Sequence, residues 1–215
     1  MSFKTRTKLL FIHNPKTGGD FIRQNLGMYT YTNEDFNKRK HEPASQFDLD
    51  GYKPWCVVRN PYTRLESHYN YMKFRDRELC DIVAPTFEQY VLRAGFNGIP
   101  KDPFTLKHKT RRAATVERAY KKLHVSPQVH FCQGIEKENI LRFERLTQDL
   151  EWFFNTIHKA NIFFDDQKFK EPVNMSPDRP TGTIKWSQQM RKVVNKYYKH
   201  DFRVYNYKVI RDGYV

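Results

Sequence analysis

Thr7-Lys8-Leu9-Leu10-Phe11-Ile12-His13-Asn14-Pro15-Lys16-Thr17-Gly18-Gly19-Asp20-Phe21-Ile22 changes character twice within one short stretch. An apolar run from Thr7 to Ile12 breaks at Asn14-Pro15. A glycine pair follows, after which Phe21, Ile22, Asn25 and Leu26 recur at helical spacing. This reads as strand, glycine loop, helix. A second unit repeats the pattern: Trp55 to Val58 is apolar and β-branched, Asn60-Pro61 breaks it, and Tyr62, Leu65, Tyr69 and Met72 form a helical stripe. Pro61 suits the first position of that helix, where a missing N–H costs nothing. Short strands alternating with helices predict an α/β fold in which a central parallel sheet is flanked by helices.

Outward from these units, Thr86 to Ala94 predicts a helix, and Val129 to Cys132 and Ile140 to Phe143 predict buried strands. Leu150, Phe153, Phe154 and Ile157 mark another helix, and Pro172 to Gly182 reads as a loop. A last helix runs from Ile184 to Tyr198, with Trp186, Met190, Val193, Val194 and Tyr197 on one face and Lys185, Arg191, Lys192 and Lys196 on the other. No repeat or linker divides the chain, so residues 1–215 are expected to form a single domain.

Composition narrows the classes. A chain of 215 residues with 15% aromatic residues is not disordered, although its mean hydropathy is −0.83. At this length folding buries roughly 70% of the unfolded surface, so neither disulfide nor metal is required for a core. Cys56, Cys80 and Cys132 are odd in number and form no CxxC pair, which suggests a reducing compartment and no zinc site. The longest apolar run, Leu9 to Ile12, is too short for a membrane span or a signal-peptide core. The expectation is a soluble cytoplasmic protein. Lys and Arg number 38 against 24 Asp and Glu, a net charge of +14, so the partners are expected to be anions. Lys38-Arg39-Lys40 and the stretch Lys101 to His124 concentrate that charge.

In an open α/β sheet, ligands bind beyond the carboxyl ends of the strands. The first turn, Pro15 to Asp20, has what an anion needs: glycines that let main-chain N–H groups converge, a helix N-terminus, and a lysine. It differs from the nucleoside-triphosphate loop, whose lysine follows the last glycine. In the second turn Arg59 emerges at a strand end. Ser67, with Arg64 one turn earlier, is expected on the helix face away from the apolar stripe. A guanidinium fork with a hydroxyl suits a terminal phosphate.

Together the two turns resemble those of sulfotransferases that use 3′-phosphoadenosine 5′-phosphosulfate, specifically the carbohydrate branch that includes heparan and chondroitin sulfotransferases. The family's 5′-phosphosulfate loop is matched at His13, Pro15, Lys16, Thr17, Gly18 and Gly19, and its 3′-phosphate motif at Val58, Arg59, Asn60, Pro61, Arg64, Ser67 and Tyr69. Ser126-Pro127-Gln128, Leu141 to Leu146, Val173 to Ser176 and Tyr198 to Tyr207 are similar to later family segments. The resemblance implies the P-loop-like three-layer sulfotransferase fold and a metal-free reaction that yields 3′,5′-adenosine bisphosphate.

It also implies roles. Lys16, Thr17, Gly18 and Gly19 would hold the 5′-phosphosulfate, Arg59 and Ser67 the 3′-phosphate, and Ser176 and Arg179 would lie in a loop over the nucleotide. Asp20 departs from the family's Thr or Ser at that place. Its carboxylate either repels the anion or caps the helix, and we read it as a cap. His41, in His41-Glu42-Pro43-Ala44, resembles the carbohydrate enzymes' histidine base, the alternative being a solvated histidine in a basic loop. Lys16 would steady the leaving phosphate, and Glu66 and His68 are further acid/base candidates. The acceptor would be a hydroxyl or amine, on a carbohydrate, taken by in-line displacement. Two other readings compete: a phosphoryl transferase, which needs a differently placed lysine, and a non-catalytic module binding polyanions or nucleic acid through its charge and aromatic residues.

Overall fold

The computed structural model describes residues 8–26, 41–75, 77–94, 122–157 and 184–211. Three strands, β1 (Lys8–Ile12), β2 (Tyr52–Val58) and β3 (Ile140–Arg142), form one sheet in the order β1-β2-β3. The helices in chain order are α1 (Gly19–Asn25), α2 (Pro61–Arg75), α3 (Arg77–Val83), α4 (Phe87–Gln89), α5 (Gln128–Phe131), α6 (Leu146–Trp152), α7 (Gln188–Tyr197) and α8 (Lys199–Val204). The chain divides into two compact units, one drawn from Met1–Arg59 and Gln128–Asn174, the other from Asn60–Pro127 and Met175–Val215.

The first unit contains the sheet. Both pairings are parallel, β1 against β2 from Lys8↔Tyr52 to Ile12↔Cys56 and β2 against β3 from Cys56↔Ile140 to Val58↔Arg142. Because side chains alternate along a strand, Phe11, Trp55, Val57 and Leu141 share a core with Ile22 of α1, with Leu26 at its end and with Leu150, Phe153 and Phe154. The rings of Phe11 and Trp55 lie 4.6 Å apart and those of Trp55 and Phe153 5.2 Å, contacts each adding about 1 kcal/mol beyond area burial. Leu10, Ile12, Cys56 and Val58, which point the other way, are equally buried. Burial of both faces is the mark of a parallel sheet covered on each side, and it explains why its strands read as continuous apolar runs.

In the second unit Pro61 opens α2, and its predicted stripe of Tyr62, Leu65, Tyr69 and Met72 is buried. Thr86 and Gln89 close a capping box at the head of α4, which runs on into a wider turn over Tyr90–Ala94. Ser187 caps α7, its hydroxyl accepting from the Met190 N–H at 3.3 Å. The cap starts the helix at Gln188 rather than at Ile184, as the apolar pattern alone had suggested.

Val129 to Cys132 does not form the expected strand: Gln128–Phe131 is the short helix α5. Four residues, one of them His130, carry no usable period. Pro127, just before α5, cannot donate to a ladder and presets the backbone for a helical start.

Candidate functional site

The turn from β1 into α1 is built from backbone. Lys16 (φ 66°) and Gly18 (φ 84°) both take the left-handed conformation, whereas Thr17 between them does not. Alternation of this kind curls successive N–H groups toward one concavity, an anion-binding nest. A left-handed lysine costs about 1–2 kcal/mol, so the loop is held by its neighbours. The Thr17 hydroxyl donates to the Asn14 carbonyl at 2.8 Å, and Thr17 is fully buried. What Thr17 can offer an anion is therefore its main-chain N–H.

Each glycine of the pair lies against a ring. A Cβ on Gly19 would stand 2.0 Å from Nε2 of the buried His13, and one on Gly18 would stand 3.1 Å from the Phe143 ring. Asp20 does not cap α1, which corrects the sequence reading: Gly18 is the cap residue, and Asp20 lies inside the first turn, 3.6 Å from Arg23. An i,i+3 partner on the same helix face draws the carboxylate along α1.

Arg59 follows the last residue of β2. Its guanidinium lies over the Phe143 ring, 4.2 Å from the centroid, and reaches the Lys16 carbonyl in a long 3.4 Å hydrogen bond. The two turns singled out in the sequence therefore meet within the first unit, through residues 43 apart. Three residues given no role in the sequence reading hold this arrangement: Asn14, Gln128 and Phe143. The segments containing Gln128 and Phe143 carried family likeness, but their roles depend on contacts remote in sequence. Asn14 showed itself only as a strand breaker.

His41 is half-buried with Nδ1 3.1 Å from the His13 carbonyl. A carbonyl only accepts, so Nδ1 carries the proton and Nε2 holds the lone pair of the neutral ring. The edge of one imidazole meets the other at 4.6 Å between centroids.

The remaining candidates belong to the second unit or fall outside the described residues. Ser67 is half-buried on α2. Arg64 is not on the open face expected of it: it is 2% exposed and donates to the carbonyls of Ser126 (2.9 Å) and His124 (3.2 Å). His68 is buried too, bonded to the Tyr90 hydroxyl, and Glu66 accepts from the Trp186 indole at 2.9 Å. Ser176, Arg179, Lys38, Arg39, Lys40 and most of Lys101 to His124 lie outside the described residues.

Among the described residues no cluster of three or more His, Cys, Asp or Glu is arranged to hold a metal ion, and no helix is long and apolar enough to cross a membrane. A model of the sulfotransferase family matches residues 2–208. No curated protein and no solved structure matches the chain.

Proposed function

Because this chain belongs to the sulfotransferase family, whose fold accords with a parallel sheet flanked by helices, we propose that it moves a sulfuryl group from 3′-phosphoadenosine 5′-phosphosulfate to a hydroxyl or amine, with a carbohydrate as acceptor. The observation that carries the reading is the convergence of Arg59 on the Lys16 loop, where a guanidinium, a lysine and a nest of N–H groups come together. The match extends over both compact units, in support of one sulfotransferase domain.

In this reading the bound donor supplies the sulfuryl group and a bisphosphate leaving group. Lys16 and the N–H groups of Thr17, Gly18 and Gly19 would hold its 5′ end, with the lysine supplying positive charge to the leaving phosphate. The cradle suits such an anion because Lys16 and Gly18, both at positive φ, curl successive N–H groups toward one concavity. Arg59 and Ser67 would each contribute to binding the 3′-phosphate, Ser176 would be a further nucleotide contact, and Asp20 would stand beside the 5′ end. His41 takes the acceptor proton at Nε2 while the His13 carbonyl keeps Nδ1 protonated, the tautomer a general base requires. None of these roles calls for a metal.

A second reading, polyanion binding without catalysis, is favoured by one feature of the second unit. Lys192 and Lys196 on α7, and Lys199 and Arg203 on α8, are all exposed, each pair four residues apart on its own helix. Calorimetry with 3′,5′-adenosine bisphosphate separates the two. The sulfotransferase reading expects micromolar binding, at least tenfold weaker in Arg59→Ala, and none of ATP with Mg²⁺. Failure of the wild type to bind the bisphosphate, together with steeply salt-dependent polyanion binding, sinks it in favour of the second.

A further inference from the structure

We propose that Gln128 is a positioning residue that sets the aim of Arg59, and with it the protein's preference for a nucleotide carrying a 3′-phosphate. The inference rests on the reading of Arg59 given above and assigns Gln128 a role in that same site.

The parallel ladder between β2 and β3 ends at Val58↔Arg142, so Arg59 is the first residue beyond it. Its main-chain groups are nonetheless paired, by one side chain. Gln128 Oε1 accepts from the Arg59 N–H at 2.8 Å, and Gln128 Nε2 donates to the Arg59 carbonyl at 2.8 Å. A primary amide presents an acceptor and a donor side by side, as a neighbouring strand would, and so extends the ladder by one residue without a strand. Two short bonds to one residue restrict both of its backbone torsions, and hence the direction of its Cα–Cβ bond.

The same amide is tied to the root of the other turn. Asn14 Nδ2 donates to Gln128 Oε1 and to the Val57 carbonyl, each at 3.1 Å, and the Asn14 carbonyl accepts the Thr17 hydroxyl. Asn14 and Gln128 are both fully buried. The chain from Thr17 through Asn14 and Gln128 to Arg59 therefore registers the arginine against the Lys16 loop from below. Phe143 and the Lys16 carbonyl seat its guanidinium from above. A cation at the end of a long flexible side chain loses affinity when its root can swivel, because the ordering must then be supplied by binding itself.

The test compares two nucleotides that differ only at the 3′ position, 3′,5′-adenosine bisphosphate and 5′-AMP. Affinities are measured by calorimetry for wild type, Arg59→Ala, Gln128→Met and the double variant. Wild type should prefer the bisphosphate. Arg59→Ala should abolish that preference, and Gln128→Met should reduce it at least tenfold while 5′-AMP affinity stays within twofold. The double variant should be no worse than Arg59→Ala, since both changes remove one function.

Equal losses for the two nucleotides in Gln128→Met mean a merely structural glutamine and overturn the proposal, as does an unchanged preference. Absence of any preference in wild type overturns the reading of Arg59 as well, and is seen before any variant is made. If Gln128→Met does not fold, Gln128→Glu takes its place under the same criterion. It keeps the volume and the acceptor to the Arg59 N–H but sets a carboxylate oxygen against the Arg59 carbonyl.

Discussion

Arg59 and Arg64 stand five residues apart in one sequence motif and do opposite work. Arg59 lies at a strand end, its flat guanidinium on the Phe143 ring and its root held by Gln128. Arg64 is buried one turn into α2 and donates to the carbonyls of His124 and Ser126. Side-chain type and motif position are the same kind of signal for both. Burial separates them: a buried guanidinium directed at two backbone carbonyls is a structural tie, and one spread over an aromatic face beside a nest of N–H groups suits a ligand.

The sharpest test of that contrast is Arg64→Ala. It removes two charge-assisted hydrogen bonds made by a buried guanidinium, a loss of roughly 3 kcal/mol. Urea denaturation should show it, while the folded fraction keeps its affinity for 3′,5′-adenosine bisphosphate. Arg59→Ala should reverse the pattern, with stability within about 1 kcal/mol of wild type and affinity lost. If both variants lose stability alike, the distinction between the two arginines fails.

The glycines of the first unit allow a similar comparison. Gly19 and Gly134 are both candidates for alanine, but a Cβ on Gly19 meets His13 at 2.0 Å and one on Gly134 meets nothing within 4 Å. Gly19→Ala should cost about 2 kcal/mol through forced movement of a buried imidazole and weaken nucleotide binding. Gly134→Ala carries only the strain of its positive φ (83°), about 1 kcal/mol, and should leave binding alone. Equal binding by the two variants would remove His13 as the reason for the glycine.

How far the site was legible follows from range. The two turns could be read because a strand, a breaker, glycines and a helical stripe are neighbours in sequence, and the burial of Tyr62, Leu65, Tyr69 and Met72 follows from the 3.6-residue period. Arg64 was misread because that period says which residues share a face and not what lies across from the face's edge. The amide bracket of Gln128 on Arg59 spans 69 residues, and its bond to Asn14 spans 114. No local pattern announces such a contact, and Val129 to Cys132 was too short for its period to distinguish helix from strand.

Each unit also buries an acid that the fold holds in its protonated form. Burial pushes up the Cys56 thiol in the first and the Tyr198 hydroxyl in the second. A group with its folded pKa raised contributes stability that is present below its unfolded pKa and is lost as pH rises toward the folded one. Stability should therefore hold to about pH 8.5, the ordinary thiol value, and fall above it, with a second contribution entering near pH 10. Each group contributes a slope of at most about 1.4 kcal/mol per pH unit. Thermal melts between pH 7 and 11 should show the decline, and Cys56→Ala should flatten its first part while sparing the second. A melt independent of pH in that range would mean that neither group is held protonated by the fold.

Asp20 gives the smallest effect and bears on how the loop differs from the family pattern. Its pairing with Arg23 is a half-exposed i,i+3 contact at 3.6 Å, worth about 0.3 kcal/mol, so Asp20→Thr should hardly change stability. Substitution removes one negative charge from the first turn of α1, beside the residues proposed to hold the 5′ end of the nucleotide, and supplies a hydroxyl there. Like charges in water-exposed surroundings repel by about 1 kcal/mol at close range. Affinity for 3′,5′-adenosine bisphosphate should therefore rise severalfold at low salt, and the gain should shrink as salt screens it. A gain that survives high salt assigns the effect to the new hydroxyl, and a loss of affinity means that the Asp20–Arg23 pair helps to shape the loop.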